Sequence, residues 1–82
     1  MPKNEPQRIT LERWNSASST AQFYSLAVEP TLFGDTALVR AWGRIGLVER
    51  RRIDLYETQE QAAEALNAWL KRKRKRGYVT LE

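Results

Sequence analysis

Neither cysteine nor histidine occurs in this chain. Without cysteine there is no disulfide framework and no thiolate metal site. Without histidine the usual general base and the commonest zinc ligand are missing too, so catalysis would have to rest on scattered carboxylates and hydroxyls. No apolar run approaches the roughly 20 residues that span a bilayer, and Met1-Pro2-Lys3-Asn4-Glu5-Pro6 holds no apolar segment like that of a signal peptide. These absences lead to the expectation of a soluble, cytoplasmic protein with no membrane association, no metal or other cofactor, no small-molecule substrate and no catalytic centre. At 82 residues the chain makes one domain. Only about two-thirds of the unfolded surface is buried on folding at this size, so the core is small.

What is abundant is positive charge. Fourteen Lys and Arg stand against ten Asp and Glu, and ten of the cations are arginine, whose planar fork pairs with phosphate and stacks on aromatic rings. Eleven of them lie at or after Arg40, at Arg40, Arg44, Arg50 to Arg52 and Lys71 to Arg76. Such a distribution suits a polyanion partner.

Residues 1 to 8, with two of the three prolines, read as a flexible arm, and 9 to 82 as the domain. Ile9 to Trp14 alternates as a strand, and the Ser-rich segment from Asn15 to Thr20 is a loop. Gln22 to Glu29 alternates again, with Tyr24, Leu26 and Val28 toward the core, until Pro30 ends the ladder. Leu32-Phe33-Gly34-Asp35 reverses the chain into a strand from Ala37 to Trp42. Gly43 and Gly46 bracket a further turn, and Arg50 to Leu55 is the next strand, with Arg51, Ile53 and Leu55 on one side. Thr58 with Gln61 makes a capping box that opens a helix. Ala62, Ala65, Leu66, Trp69 and Leu70 give that helix its apolar stripe, Gly77 ends it, and Tyr78 to Leu81 is a short edge strand. The fold class is α+β, an antiparallel meander of four to five strands with one helix packed on one face.

Trp42-Gly43-Arg44 is the feature richest in chemistry. Alternation sends Ala37, Val39 and Ala41 to one face, read as core, and Leu38, Arg40, Trp42 and Arg44 to the other, read as open. An isolated indole more often closes a core, but Arg40 and Arg44 on the same face would not both be buried unpaired. An indole between guanidiniums, beside a glycine that admits close approach, suits stacking on a sugar or base while the charges hold phosphate. Arg50 and Arg52 alternate onto the same face as Trp42. In the basic run Lys71, Arg74 and Lys75 point away from the apolar stripe, whereas Lys73 and Arg76 continue it and must snorkel or lie beyond the core. The run also fits a simple helix C-terminus, where cations favour the macrodipole. Glu49, Asp54 and Glu57 read as ion-pair partners, and the glycines at 43 and 46 lack the context of a phosphate loop.

Phe23-Tyr24, Leu32-Phe33-Gly34, Arg40-Ala41-Trp42-Gly43-Arg44-Ile45-Gly46 and Arg76-Gly77-Tyr78 occur in order and at linked spacings. From about Leu11 to Tyr78 the chain resembles a stand-alone bacterial WGR domain, a family of antiparallel sheets with one helix on one face. In the DNA-dependent poly(ADP-ribose) polymerases such a domain binds DNA at breaks. There the motif tryptophan stacks near a terminal sugar, the motif arginine joins DNA and neighbouring domains, and a tyrosine after the helix helps hold the 5′ end. The resemblance thus implies nucleic-acid contact by Trp42, Gly43, Arg44 and Tyr78. It departs from the family before the Phe-Tyr pair, where the usual asparagine and lysine are not both matched: Ala21-Gln22 precedes Phe23, and the asparagine on offer is the more distant Asn15. ADP-ribosylation is not implied, because no polymerase domain accompanies the match.

The reading that results is a non-enzymatic module that binds double-stranded DNA, at ends or nicks, with little sequence preference. Arg40, Arg44, Arg50, Arg52, Lys71, Arg74 and Lys75 would hold phosphates and Trp42 would stack. The alternative is a protein-interaction or self-association module that grips a protein partner or a second copy through the WGR surface.

Overall fold

The computed structural model describes residues 7–81 as one five-stranded antiparallel sheet and one helix. Strands β1 (Gln7–Asn15), β2 (Thr20–Pro30), β3 (Thr36–Arg44) and β4 (Arg50–Tyr56) form a meander. Helix α1 (Gln59–Lys75) then crosses the sheet and delivers the two-residue β5 (Val79–Thr80) to the far side of β1, in spatial order β4-β3-β2-β1-β5. The domain therefore starts two residues earlier than expected, since Gln7 and Arg8 already pair with Val28 and Ala27. The rest of the expected arm lies outside the described residues.

Local chemistry explains the boundaries. Thr58 accepts from the Gln61 N–H at 3.1 Å, and the Gln61 side chain returns to the Thr58 N–H, so two orphan donors of the first turn are satisfied. At the other end Gly77 takes φ +94°. There the Tyr78 N–H donates to the Lys73 carbonyl and the Gly77 N–H to the Arg74 carbonyl, the paired arrangement that closes a helix on a left-handed residue.

The core lies between α1 and one sheet face. Leu11, Tyr24, Leu26, Val28 and Leu38 meet Ala62, Leu66 and Leu70, with Ile9, Trp42, Tyr56, Ala65, Trp69 and Tyr78 packed around them. Each of the fully buried leucines, Leu11, Leu26, Leu38 and Leu66, contributes about 1.5–3 kcal/mol by leaving water.

The two faces of β3 are the reverse of the expectation. Register places Tyr24 beside Trp42, Leu26 beside Arg40 and Val28 beside Leu38, and residues opposite each other share a face. The face carrying Leu38, Arg40 and Trp42 is therefore the one the helix covers. Ala37 and Ala41 are buried, together with Ala27 of β2, on the uncovered side, because side chains this small are shielded by their taller neighbours. On that uncovered side Arg51, Ile53 and Leu55 do share a face, and Ile53 and Leu55 stand 56% and 62% exposed. The difference has one physical cause: a charge on a strand predicts a solvent-facing side, whereas pairing with β2 decides the face.

Candidate nucleic-acid interface

Tyr24 is the hub of an aromatic cluster assembled from three separate elements and the segment that follows the helix. Its ring stacks on Trp42 at 5.8 Å and on Trp69 at 6.3 Å, and meets Tyr78 edge-on at 6.2 Å. Cations lie over these rings. The guanidinium of Arg40 is 4.0 Å from the Trp69 ring centre, that of Arg72 4.6 Å from the same ring, that of Arg13 4.9 Å from Tyr78, and the Lys73 ammonium 4.4 Å from Tyr24. Tyr78 is thereby joined to Trp42 through one intervening ring, although 36 positions separate them in the chain.

Arg40 corrects a specific expectation. It was expected on an open face holding phosphate, and it is only 8% exposed. Its Nη1 donates to the Tyr24 hydroxyl at 3.1 Å and its Nη2 to Asp54 at 3.4 Å, while Trp69 from the helix lies across its guanidinium. Its Nε is buried without a partner among the described residues. A weakly hydrated, planar cation can be enclosed this way where a lysine could not. Arg40 props the cluster from beneath.

The rim of the cluster is open. Trp42 is half-buried, and together with Gly43, Arg44, Leu47, Val48 and Arg50 it lines a groove of about 540 Å³. Arg44 follows Trp42 by two positions on the same strand face, and Arg50 lies directly opposite Trp42 across the β3–β4 ladder. Both are exposed, and neither has a carboxylate partner among the described residues. The groove's outer wall is the segment 45–49, held by the Ile45 N–H to Ala21 carbonyl bond at 2.9 Å and the Leu47 N–H to Arg44 carbonyl bond at 3.0 Å. Gly43 was expected to admit a ligand close to the backbone. What approaches is the chain itself: a Cβ at position 43 would stand 3.0 Å from the Val48 carbonyl oxygen and 3.5 Å from the Phe23 ring.

The end of α1 supplies the remaining charge. Lys73 lies against Tyr24 and Tyr78, and burial, followed by the neighbouring charges of Arg76, Arg13, Arg40 and Arg72, holds its amine below the ordinary 10.5. Lys71 and Lys75 project into solvent as expected. Arg74 is exposed but turns back to donate to the Thr80 hydroxyl at 2.8 Å, and Arg52 is exposed and paired with Asp54 at 3.5 Å. Of the residues singled out in the sequence, the fold gathers Trp42, Gly43, Arg44 and Arg50 into one groove. It adds Tyr78 through Tyr24, leaves Arg52, Lys71 and Lys75 on the periphery, commits Arg74 to β5 and encloses Arg40.

Three cations of the cluster were missed, one of them Arg72 over Trp69. Arg13 donates to Gln22 and to the Arg76 carbonyl while stacking on Tyr78, and Lys73 sits on two rings. Arg13 shares the alternation of Ile9 and Leu11, which was the available signal; Lys73 was identified as a snorkelling residue without a role. Among the described residues no three of His, Cys, Asp or Glu come together as metal ligands, and no helix is long and apolar enough to cross a membrane.

A model of the WGR domain family matches residues 7–82. This chain belongs to the WGR family. The family is one known for nucleic-acid binding, and its defining tripeptide is the one that lines the groove. The WGR chain is also 37% identical over 75 residues to "Uncharacterized protein y4dW" of Sinorhizobium fredii (strain NBRC 101917 / NGR234). That match covers 92% of this chain and 37% of the relative, so this chain spans little more than a third of the relative's length.

Proposed function

We propose that this WGR domain is a non-enzymatic module that binds double-stranded DNA at ends or nicks. The observation that carries the reading is the groove beside Trp42: an indole flanked by two exposed arginines, Arg44 and Arg50, that have no carboxylate partner among the described residues, over a positively charged aromatic cluster. At a break the terminal sugar or base is free to stack on Trp42 while phosphates meet Arg44 and Arg50, with Arg52, Lys71 and Lys75 extending the field. The only helix among the described residues spends one face on the core and its first turn on a capping box, which leaves no recognition helix for base edges. Binding is accordingly insensitive to sequence and steeply dependent on salt.

The test is fluorescence anisotropy with a 5′-phosphorylated nicked duplex and with the same duplex closed by hairpins, across a salt series. Preference for the nick that disappears in Trp42→Ala, with a salt slope that falls by about one in Arg50→Ala, supports the reading. Equal binding to both duplexes removes the end preference, and no binding at low salt sinks the proposal.

A second reading, a protein-interaction module using this same surface, is favoured by the exposed Ile45, Leu47 and Val48 beside the groove, which are 51%, 67% and 87% accessible. Arg44→Ala separates the two, because DNA affinity falls under the first and stays intact under the second.

A further inference from the structure

Among the described residues strand β4 is a free edge of the sheet, seven residues long, whereas the opposite edge is shortened by a β5 of two residues. Register shows which of its backbone groups are unpaired. The Ile45 N–H donates to the Ala21 carbonyl in continuation of the β2–β3 ladder, so odd-numbered residues of β3 hydrogen-bond toward β2 and even-numbered ones toward β4. Their partners in β4 are Arg50, Arg52, Asp54 and Tyr56. The N–H and C=O groups of Arg51, Ile53 and Leu55 therefore point outward, beside two apolar side chains more than half exposed. A strand of this kind is a template for another strand.

We propose that a second copy of this chain docks antiparallel along β4, with Ile53 of each copy opposite Ile53 of the other, so that two sheets become one. Charge selects both the occupant and the register. With Ile53 at the centre, the Arg52–Asp54 pair of one copy, closed at 3.5 Å within its own chain, stands against the Asp54 and Arg52 of the second copy, so that opposite charges alternate around a four-membered cluster. These are non-hydrogen-bonded pairs, in which side chains come closest. Arg50 then faces Tyr56, and Arg51 lays its stem against Leu55. Moving the symmetry centre one residue either way sets Arg52 against Arg52 or Asp54 against Asp54. The arginine run, which would otherwise guard the edge, is already partly neutralised, since Arg51 holds Glu49 at 3.0 Å.

An antiparallel continuation has its two-fold axis normal to the sheet, so both helices lie on the same side. Arg44, Arg50 and Arg52 of the two copies then border one continuous basic strip. The pairing itself does not depend on nucleic acid and is measured without it.

Sedimentation equilibrium of the full chain at high micromolar concentration is expected to give twice the 9.6 kDa chain mass, and Ile53→Lys to return the monomer with an unchanged circular dichroism spectrum. A wild-type monomer under these conditions overturns the proposal, as does a dimer that survives Ile53→Lys. Because the chain has no cysteine, Ile53→Cys introduces one thiol opposite its own image. At a hydrogen-bonded pair the opposed Cβ atoms stand about 5.5 Å apart, wider than a relaxed disulfide, so a short bis-maleimide is the crosslinker: it is expected to yield a covalent dimer from Ile53→Cys and not from Leu55→Cys, whose neighbour is Arg51. Crosslinking at 55 in preference to 53, or equally at both, refutes the register and the docking mode with it.

Discussion

Replacing Arg40 by alanine is expected to destabilise the whole domain rather than remove a contact to DNA. The guanidinium is desolvated against Trp69 at 4.0 Å and within 5.8 Å of Trp42, an arrangement worth about 2 kcal/mol. Its hydrogen bond to the Tyr24 hydroxyl contributes about 1 kcal/mol and leaves that hydroxyl unsatisfied when lost. Two methylenes of the stem leave a void at about 0.8 kcal/mol each. Against these stands the cost of burying, at 8% exposure, an Nε that has no partner among the described residues, which offsets about 1–3 kcal/mol. The net loss is about 3 kcal/mol, which in a domain of this size lowers Tm by about 12 °C or more. Thermal and urea unfolding followed by tryptophan fluorescence reads it directly. Arg40→Met keeps the stem's volume and drops the charge, so its loss should be less than half as large. If Arg40→Ala melts like the wild type while its affinity for DNA falls, the buried stack is wrong and Arg40 is a phosphate ligand after all.

Gly43→Ala should displace the 45–49 segment, because the new Cβ meets a backbone carbonyl at 3.0 Å. The expected cost is about 1–3 kcal/mol with weakened binding of nicked DNA, and a urea midpoint equal to wild type would show that the segment yields freely. Thr58→Ala removes the cap and should cost about 1 kcal/mol with DNA affinity intact; a loss of affinity would contradict the placement of the site away from that end of the helix. For Lys73 the folded chain binds fewer protons than the unfolded one, so its contribution to stability rises with pH between its lowered pKa and the ordinary 10.5. Lys73→Met should flatten that rise, and parallel stability–pH curves for the two proteins would refute the lowering.

Local signals specify the elements and their order. Alternation through β2, the capping box at Thr58 and Gln61, the apolar stripe from Ala62 to Leu70 and the glycine at 77 are local signals read within a few residues, and each describes the structure. Family membership was legible for the same reason, being carried by short motifs in fixed order. Long-range pairing sets which face of β3 the helix covers. Alternation says only that neighbouring residues part ways, and the choice between two faces came from the register of Tyr24 with Trp42 and from the closing of Trp69 over Arg40. Only the fold, too, set Arg13 against Tyr78 and Lys73 against Tyr24, since contacts that bridge tens of positions, such as the 63 between Arg13 and the Arg76 carbonyl, leave no local trace. A guanidinium on a strand is read as exposed until something aromatic is known to lie above it, and nothing near position 40 in the sequence announces an indole 29 residues away.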